Sequence, residues 1–401
     1  MKLKRALLSA GILFASAGLS QAAISDGEVR VGLLTDMRGV YKDVAGQGAV
    51  IAAEMAIEDF GGKAGGKPIK LIIGDHESNG EVAMRLAEKF YQEQKVDVFA
   101  EMVSSGTALP IQRFARDNGI VTLHSGAAAA SLTSEDCSPT GVHWAYDTIS
   151  LARGTAQAMM DQGGDSWFFL TADYAFGHQL EGDTRAVVEA RQGKVFGSAK
   201  HPFKGTDFTP YLLEAQASNA KVVALANAGG DTLTAIRQAY EFGLMQGGQS
   251  LAGLLIFITD IRHLGLYVAG GLKLTTGFYW DFDEQTRAWS DRFYQRAGTR
   301  PTMVQASVYS SLMHYFKAID ETGTDQGKAV VDKMKEMPVN DFFARNGKIR
   351  RDGRMVHDMY LVEVKRPSES KGAWDYLKVL KIIPGEQAFR PMAEGKCAFV
   401  N

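Results

Sequence analysis

The chain has 401 residues, 45% of them hydrophobic and 22% charged, with a formal net charge of −2; this is ordinary globular composition, long enough for two domains. The balanced charge excludes the basic footprint that a nucleic acid or an anionic membrane would require of a partner. Ten prolines and 43 glycines are scattered through the chain, so no low-complexity tract marks a linker.

The N-terminus reads as an address. Lys2, Lys4 and Arg5 form a basic start, Ala6 to Leu19 is apolar, and Ser20-Gln21-Ala22 places small residues where a signal peptidase cuts. The apolar run is short for a membrane span, and no later stretch comes near the length a spanning helix needs. No cysteine follows the cleavage region, which disfavours a lipid anchor. A signal peptide over residues 1–22 and an exported mature chain starting near Ala23 are therefore expected. In an oxidising compartment the only two cysteines, Cys137 and Cys397, are expected to pair. Two cysteines with no CxxC pair and no neighbouring histidine do not make a structural zinc site.

Strands and helices then alternate. Val29–Leu34 reads as a strand, Val44–Phe60 as a helix with Val50, Ala53, Met55, Ala56 and Phe60 at helical spacing, Ile69–Ile73 as a strand and Glu81–Gln94 as a helix. The strand Val96–Ala100 opens onto Ser104-Ser105-Gly106-Thr107 and a helix, and the strand Ile120–Leu123 opens onto Ser125-Gly126-Ala127-Ala128. From Ser150 the theme restarts: helix 150–162, strand 166–170, helix 178–191, strand 194–197, helix 208–217, strand 222–226, helix 231–242 and strand 254–258. This order predicts an α/β protein of two doubly wound parallel sheets. The run Gly61-Gly62-Lys63-Ala64-Gly65-Gly66 follows a helix and precedes a strand, the wrong context for a dinucleotide fingerprint, and reads as a helix stop and turn.

Two neighbouring strand-end loops rich in Ser, Gly and Ala expose backbone N–H groups and hydroxyls at the carboxyl edge of a parallel sheet, where a helix N-terminus adds partial positive charge. That is a cradle for a carboxylate. The plainer reading, that Ser and Gly only make tight turns, stays open for either loop alone. Enzyme chemistry has little support. The eight histidines are scattered, no HExxH, GxSxG, SxxK or P-loop pattern occurs, and adjacent His124 and Ser125 at a strand end point apart.

In order along the chain, EVRVGLLTDMRGVYKDVAGQG, EDFGGKAGGKPIKLIIGD, the SSGTALPI and SGAAA loops, FLTADYAFGHQLEGD and NGKIRRDGRMVHDMYLVEVK resemble the Leu/Ile/Val-binding family of periplasmic solute receptors for ABC importers. The segments LIFITDIRHLG, TGFYWDFDEQTRAWSDRF and VYSSLMHYFKAID further resemble a proteobacterial subgroup that includes receptors for aromatic acids. The resemblance implies a type I periplasmic binding protein: two lobes joined by a three-crossing hinge, with a ligand closed in the cleft. The crossings would fall near Asp147, at Tyr279 to Asp281 and at Arg351 to Met355. Lobe one would span 23–147 plus 282–352, including helices from Glu284 to Met337. Lobe two would span 148–281 plus 353–401, with a last strand at Met359–Lys365.

The same resemblance implies the ligand contacts. Tyr41 would cover the ligand; Ser104 and Ser105, and Ser125, Ala127 and Ala128, would hold its carboxylate. From lobe two Phe176 with Tyr174 would close over it, Asn227 and then Thr259 and Asp260 would sit at the next strand ends, and Tyr279 and Trp280 at the second crossing. Amino-acid receptors of the family need an acid against the ligand ammonium, for which Asp260 is the candidate; it could equally pair with Arg262 or Arg38. A pocket of stacked aromatic rings without such an acid implies an aromatic carboxylate of the benzoate or cinnamate type. The expectation is thus a monomeric periplasmic receptor, without cofactor or metal, that delivers a small carboxylate to an inner-membrane permease by hinge closure. A branched-chain or other amino-acid receptor, and a ligand-sensing domain for a membrane kinase, remain the alternatives.

Overall fold

The structure, a computed structural model, describes residues 23–400; the expected signal peptide lies outside them. Two parallel sheets carry the fold. The first has the strand order Lys63–Ala64, Lys67–Asp75, Val29–Thr35, Val98–Glu101, Val121–His124, Gly141–His143, parallel except for the hairpin that opens it. The second has the order Ser250–Gly253, Val222–Ala226, Ser166–Ala172, Lys194–His201, all parallel. Central strands such as Val98–Glu101 and Val222–Ala226 are buried along their whole length, as sheets covered by helices on both faces must be.

The helices follow the same logic. Gly46–Asp59 buries Ala49, Val50, Ala52, Ala53, Met55 and Ala56 against the long helix Met303–Thr322, which starts in a capping box between Thr302 and Gln305. Thr302 Oγ1 donates to Val44 O at 2.7 Å and Gln305 Nε2 to Ala45 O at 3.1 Å. These bonds place the residues before the first helix, including Tyr41. The glycine run does stop that helix: Gly61, Gly62, Gly65 and Gly66 all have positive φ, which glycine adopts without a steric penalty.

Two expectations need correction. Leu254–Ile258 is no strand; the strand is Ser250–Gly253, and Ile258 opens the helix Ile258–Leu264. Leu254, Leu255, Ile256 and Phe257 are buried without being in a ladder, and a short apolar run does not distinguish the two. Nor is Met359–Lys365 the last strand. Met359–Val364 is the middle of an antiparallel sheet between Lys273–Thr276 and the edge strand Leu377–Ile383, a Val- and Ile-rich run that itself carries a strand signal.

Three chain segments run together between the two parallel sheets. Arg354 is fully buried; its guanidinium donates to Tyr146 O at 3.0 Å and to Trp144 O, and its Nε to Met355 O at 3.0 Å. His357 Nε2 lies 2.7 Å from Ala145 O. Gly277 completes the bundle: a Cβ there would meet His357 Cε1 at 3.1 Å and Ala145 O at 3.2 Å. Cys137 and Cys397 form a disulfide with Cα atoms 5.5 Å apart, fastening the C-terminal tail to the segment that leads into the first of these strands.

Candidate functional site

The carboxyl ends of the two parallel sheets face each other across a cleft. Between them lies a tightly closed cavity of about 10 Å3, walled by Tyr41, Val103, Ser105, Gly126, Ala128 and Tyr146 on one side and by Tyr174, Phe176, Ala228, Leu255 and Phe257 on the other. A larger open groove of about 710 Å3 lies beside it, with Lys42, Gln47, Thr259, Arg262, His263 and Trp374 in its walls. Charged side chains stand in the groove's walls. The smaller cavity is lined by rings, aliphatic side chains and a single serine, the chemistry that a small organic ligand meets when two walls close on it.

The first wall is built from the two loops singled out in the sequence. Ser104 stands at the N-cap position of the helix Ser105–Asp117 without a side-chain capping bond, so the first-turn N–H groups lack intrahelical acceptors and carry the positive end of the helix dipole. Ser105 Oγ accepts from Ala129 N–H at 3.1 Å and so ties one loop to the other. Behind the second loop the carbonyl oxygens are occupied. Tyr146 Oη donates to Gly126 O at 2.6 Å, His143 Nε2 lies 2.7 Å from Ala127 O, and Thr148 N donates to Ala128 O at 2.8 Å. Among the described residues, the N–H groups of Gly126, Ala127 and Ala128 donate to no backbone carbonyl. With acceptors occupied and donors free, the wall offers hydrogen bonds to an anion.

Burial, together with the nearby Arg354 charge and His124, pushes the His143 imidazole well below its usual range. It is therefore neutral and donates from Nε2, with Nδ1 unpartnered.

The opposite wall supplies rings. The Tyr174 hydroxyl is 2.6 Å from that of Tyr41, and the Tyr174 ring packs on Phe203 at 4.7 Å and Phe176 at 5.8 Å. Tyr146 and Phe257 meet edge-on at 6.4 Å. Burial, then the neighbouring phenol of Tyr174, pushes the Tyr41 hydroxyl well up, so it stays protonated. No Asp, Glu, Lys, Arg or His stands among the wall residues.

Of the residues expected from the sequence, Tyr41, Ser105, Ala128, Tyr174 and Phe176 come together in this wall. Ser104 lies next to Tyr174, and Ala127 contributes through its backbone. Ser125 is buried with Oγ unpartnered. The others are placed elsewhere by the structure. Asn227 is fully buried between His201 Nε2 at 3.0 Å and Thr232 Oγ1 at 2.6 Å, leaving its neighbour Ala228 to face the cavity. Thr259 stands in the open groove. Asp260 pairs with neither Arg262 nor Arg38: its Oδ2 accepts from Phe257 N–H at 2.9 Å and caps its own helix. Burial pushes the Asp260 carboxyl up to about 7. Arg38 instead binds Asp75 and Glu77. Tyr279 and Trp280 line a separate void beside Thr302 and Met303, where Trp280 Nε1 donates to Trp374 O at 3.0 Å and Arg300 stacks on its ring. The wall residues that sequence reasoning missed are Val103, Gly126, Tyr146, Ala228, Leu255 and Phe257. Gly126 and Ala228 adjoin residues already chosen, whereas Leu255 and Phe257 were hidden by the misplaced strand.

The family described as periplasmic binding protein matches residues 28–373. The chain belongs to this family. Solved structures agree. A periplasmic binding protein from Burkholderia mallei is 46% identical with a TM-score of 0.92, over 94% of this chain and 100% of that one. A branched-chain amino acid ABC transporter periplasmic ligand-binding protein from Burkholderia xenovorans is 37% identical with a TM-score of 0.83, over 92% and 99%. A solute-binding protein of an ABC transporter from R. palustris, solved with benzoate, is 22% identical with a TM-score of 0.80, over 90% and 97%, and shares the fold. This periplasmic binding protein is accordingly a substrate-binding receptor of the ABC-transporter type and not an enzyme. No helix among the described residues is long and apolar enough to cross a membrane.

Proposed function

We propose that this receptor binds a small aromatic carboxylate of the benzoate type in the cavity between its lobes and presents the closed form to an importer permease. The observation that carries the reading is the composition of the wall. Free N–H groups and a helix N-terminus stand on one side, the rings of Tyr41, Tyr146, Tyr174, Phe176 and Phe257 enclose the rest, and no acid stands in the wall itself. The benzoate carried by the R. palustris relative supports the same class. The carboxylate would dock on Ser105 and Gly126 to Ala128, and the ring would be covered by Tyr174, Phe176, Leu255 and Phe257. Ligand would favour closure only through contacts to both lobes.

The lobes we propose are 23–147 plus 282–352 and 148–281 plus 353–401, moving as a monomer about the three segments that Arg354 and His357 clasp. Residues 1–22 would serve as the signal peptide. A thermal-shift comparison tests the ligand class. Benzoate and 4-hydroxybenzoate should raise the melting temperature by binding the folded state, and leucine, isoleucine and valine should not. A shift with a branched-chain amino acid and none with either aromatic acid would replace this reading with the amino-acid one.

A further inference from the structure

Glu101 closes the strand Val98–Glu101 directly beneath the anion cradle. It is fully buried, and neither carboxyl oxygen has a hydrogen-bond partner. Its backbone is left-handed, φ 79°, and so is that of Met102, φ 56°, conformations that residues with a Cβ adopt at a steric penalty. The kink brings the carboxyl against Gly126: Oε1 lies 2.6 Å from where a Gly126 Cβ would stand, with Val103 Cα at 2.8 Å from the same point. Gly126 and Val103 both line the cavity, so the acid sits under its floor. Any larger residue at 126 would collide with it.

A strained, buried, unpartnered acid behind a binding wall is a costly arrangement for a residue with no role. The groups facing the Glu101 carboxyl are the Thr35 hydroxyl and the Met102 and Val103 N–H groups, which favour its ionised form weakly and outside good hydrogen-bond geometry, Asp36 from the end of the first strand, and Tyr146 from the segment entering the second lobe. His124, its register partner on the next strand, is turned to Gln112 Oε1 at 2.7 Å, and burial pushes that imidazole down to about 3. None of these is a cation. Burial pushes the Glu101 carboxyl well above the usual carboxylate range. Ionised, Glu101 would set a negative charge under a cradle built to receive one, and the neutral donors beside it do not outweigh its burial.

We propose that Glu101 is a specificity-determining residue of the cleft, a carboxylic acid that keeps its proton beneath the Val103 and Gly126 floor and thereby lets the cradle accept a carboxylate with no ammonium beside it. It is a positioning residue, acting through the floor and its charge. The proposal rests on the aromatic-acid reading above, and two measurements separate them.

The first needs no ligand. An acid whose pKa is raised on folding weakens the fold as pH climbs above its unfolded value, about 4.3 for Glu. Glu101→Gln should therefore melt above the parent near pH 8, and the advantage should vanish near pH 4, where both side chains are neutral. The second uses benzoate. Glu101→Gln, neutral and of the same size, should bind benzoate within about threefold of the parent at neutral pH, and it should lose the weakening that the parent shows at alkaline pH. Superimposable melting differences at both pH values, or a loss of benzoate affinity beyond about tenfold in Glu101→Gln, would overturn the proposal. So would leucine binding by the parent that Glu101→Gln abolishes, since Glu101 would then be the ionised ammonium partner. A parent indifferent to benzoate defeats the aromatic-acid reading alone, and the melting comparison still decides whether Glu101 holds its proton.

Discussion

The hydroxyls of Tyr41 and Tyr174 stand 2.6 Å apart, one from the loop after the first strand and the other from the N-cap of the helix Ala175–Ala190, so a single hydrogen bond joins the two walls of the cavity. It has company. Gly230 N donates to Val40 O at 3.2 Å, Lys204 Nζ to Glu77 O at 2.8 Å, and Ser131 and Gln179 exchange two bonds at 3.2 Å. These contacts bridge the lobes as we divide them, whereas Arg354 and His357 bind segments that continue from one to the other.

Removing one hydroxyl of the tyrosine pair should weaken closure. Tyr41→Phe and Tyr174→Phe should each reduce affinity for the cognate acid by about 0.5–1.5 kcal/mol, roughly threefold to tenfold. Because each hydroxyl serves the other, the double variant should lose little more than either single one. Calorimetric titration of the four proteins gives the coupling, and strictly additive losses would mean that the bond does not hold the lobes.

Ser105 and Ser125 look alike in the sequence and should behave differently. Ser105 Oγ accepts the Ala129 N–H, so Ser105→Ala leaves a buried donor unsatisfied and should cost about 1–3 kcal/mol of stability, with a loss of ligand affinity as the two loops part. Ser125 Oγ has no partner to lose, and Ser125→Ala should leave the melting temperature unchanged or higher. Chemical denaturation of both variants checks this; equal destabilisation would contradict it.

That contrast marks how far the sequence could be read. The two loops were legible because small residues after apolar strands have few other uses in a parallel sheet, and Tyr41, Tyr174 and Phe176 were legible through the family pattern. What pins the loops was not. Tyr146, His143 and Thr148 reach the carbonyls of Gly126, Ala127 and Ala128 from the end of the strand Gly141–His143 and the residues after it, an element too short for any periodicity to betray. Leu255 and Phe257 were lost to a strand placed about four residues late, because burial against a cleft and burial in a sheet leave the same apolar run. Asp260 stands outside the cavity wall for a local reason: three residues after Phe257, its carboxyl accepts the Phe257 N–H and starts the helix.

The disulfide closes a loop of 260 residues between Cys137 and Cys397. Both cysteines are buried, so reduction should be slow in the folded protein. Once reduced, the unfolded chain regains its freedom, and stability should fall by about 5.5 kcal/mol in the chain-entropy account. Thiol titration of the denatured, unreduced protein should find no free thiol, and the Cys137→Ser, Cys397→Ser variant should unfold at lower denaturant. A midpoint unmoved by the double substitution would show that the bridge constrains nothing.

The last prediction concerns acid. His143 and His124 face each other at 6.3 Å, each with Nδ1 buried and unpartnered, and His143 holds Ala127 O in the cradle. Burial depresses both, His124 to about 3, whereas in the unfolded chain each titrates near about 6.5. With the folded value depressed, the unfolded state binds more protons as pH falls below about 6.5, and stability present above that value is lost at up to about 1.4 kcal/mol per pH unit for each histidine. Buried acids with raised values, Glu101 and Asp260 among them, pull the other way, so the parent's net slope does not isolate the effect. The difference from His143→Gln does: its amide nitrogen stands where His Nε2 does and can still donate to Ala127 O, but takes up no proton. Its melting temperature relative to the parent should rise steadily from about pH 7 to about pH 5, by the equivalent of about 2 kcal/mol at the lower end. A difference that stays flat over that range would mean that His143 already carries its proton in the folded protein, and that the cradle is backed by a cation.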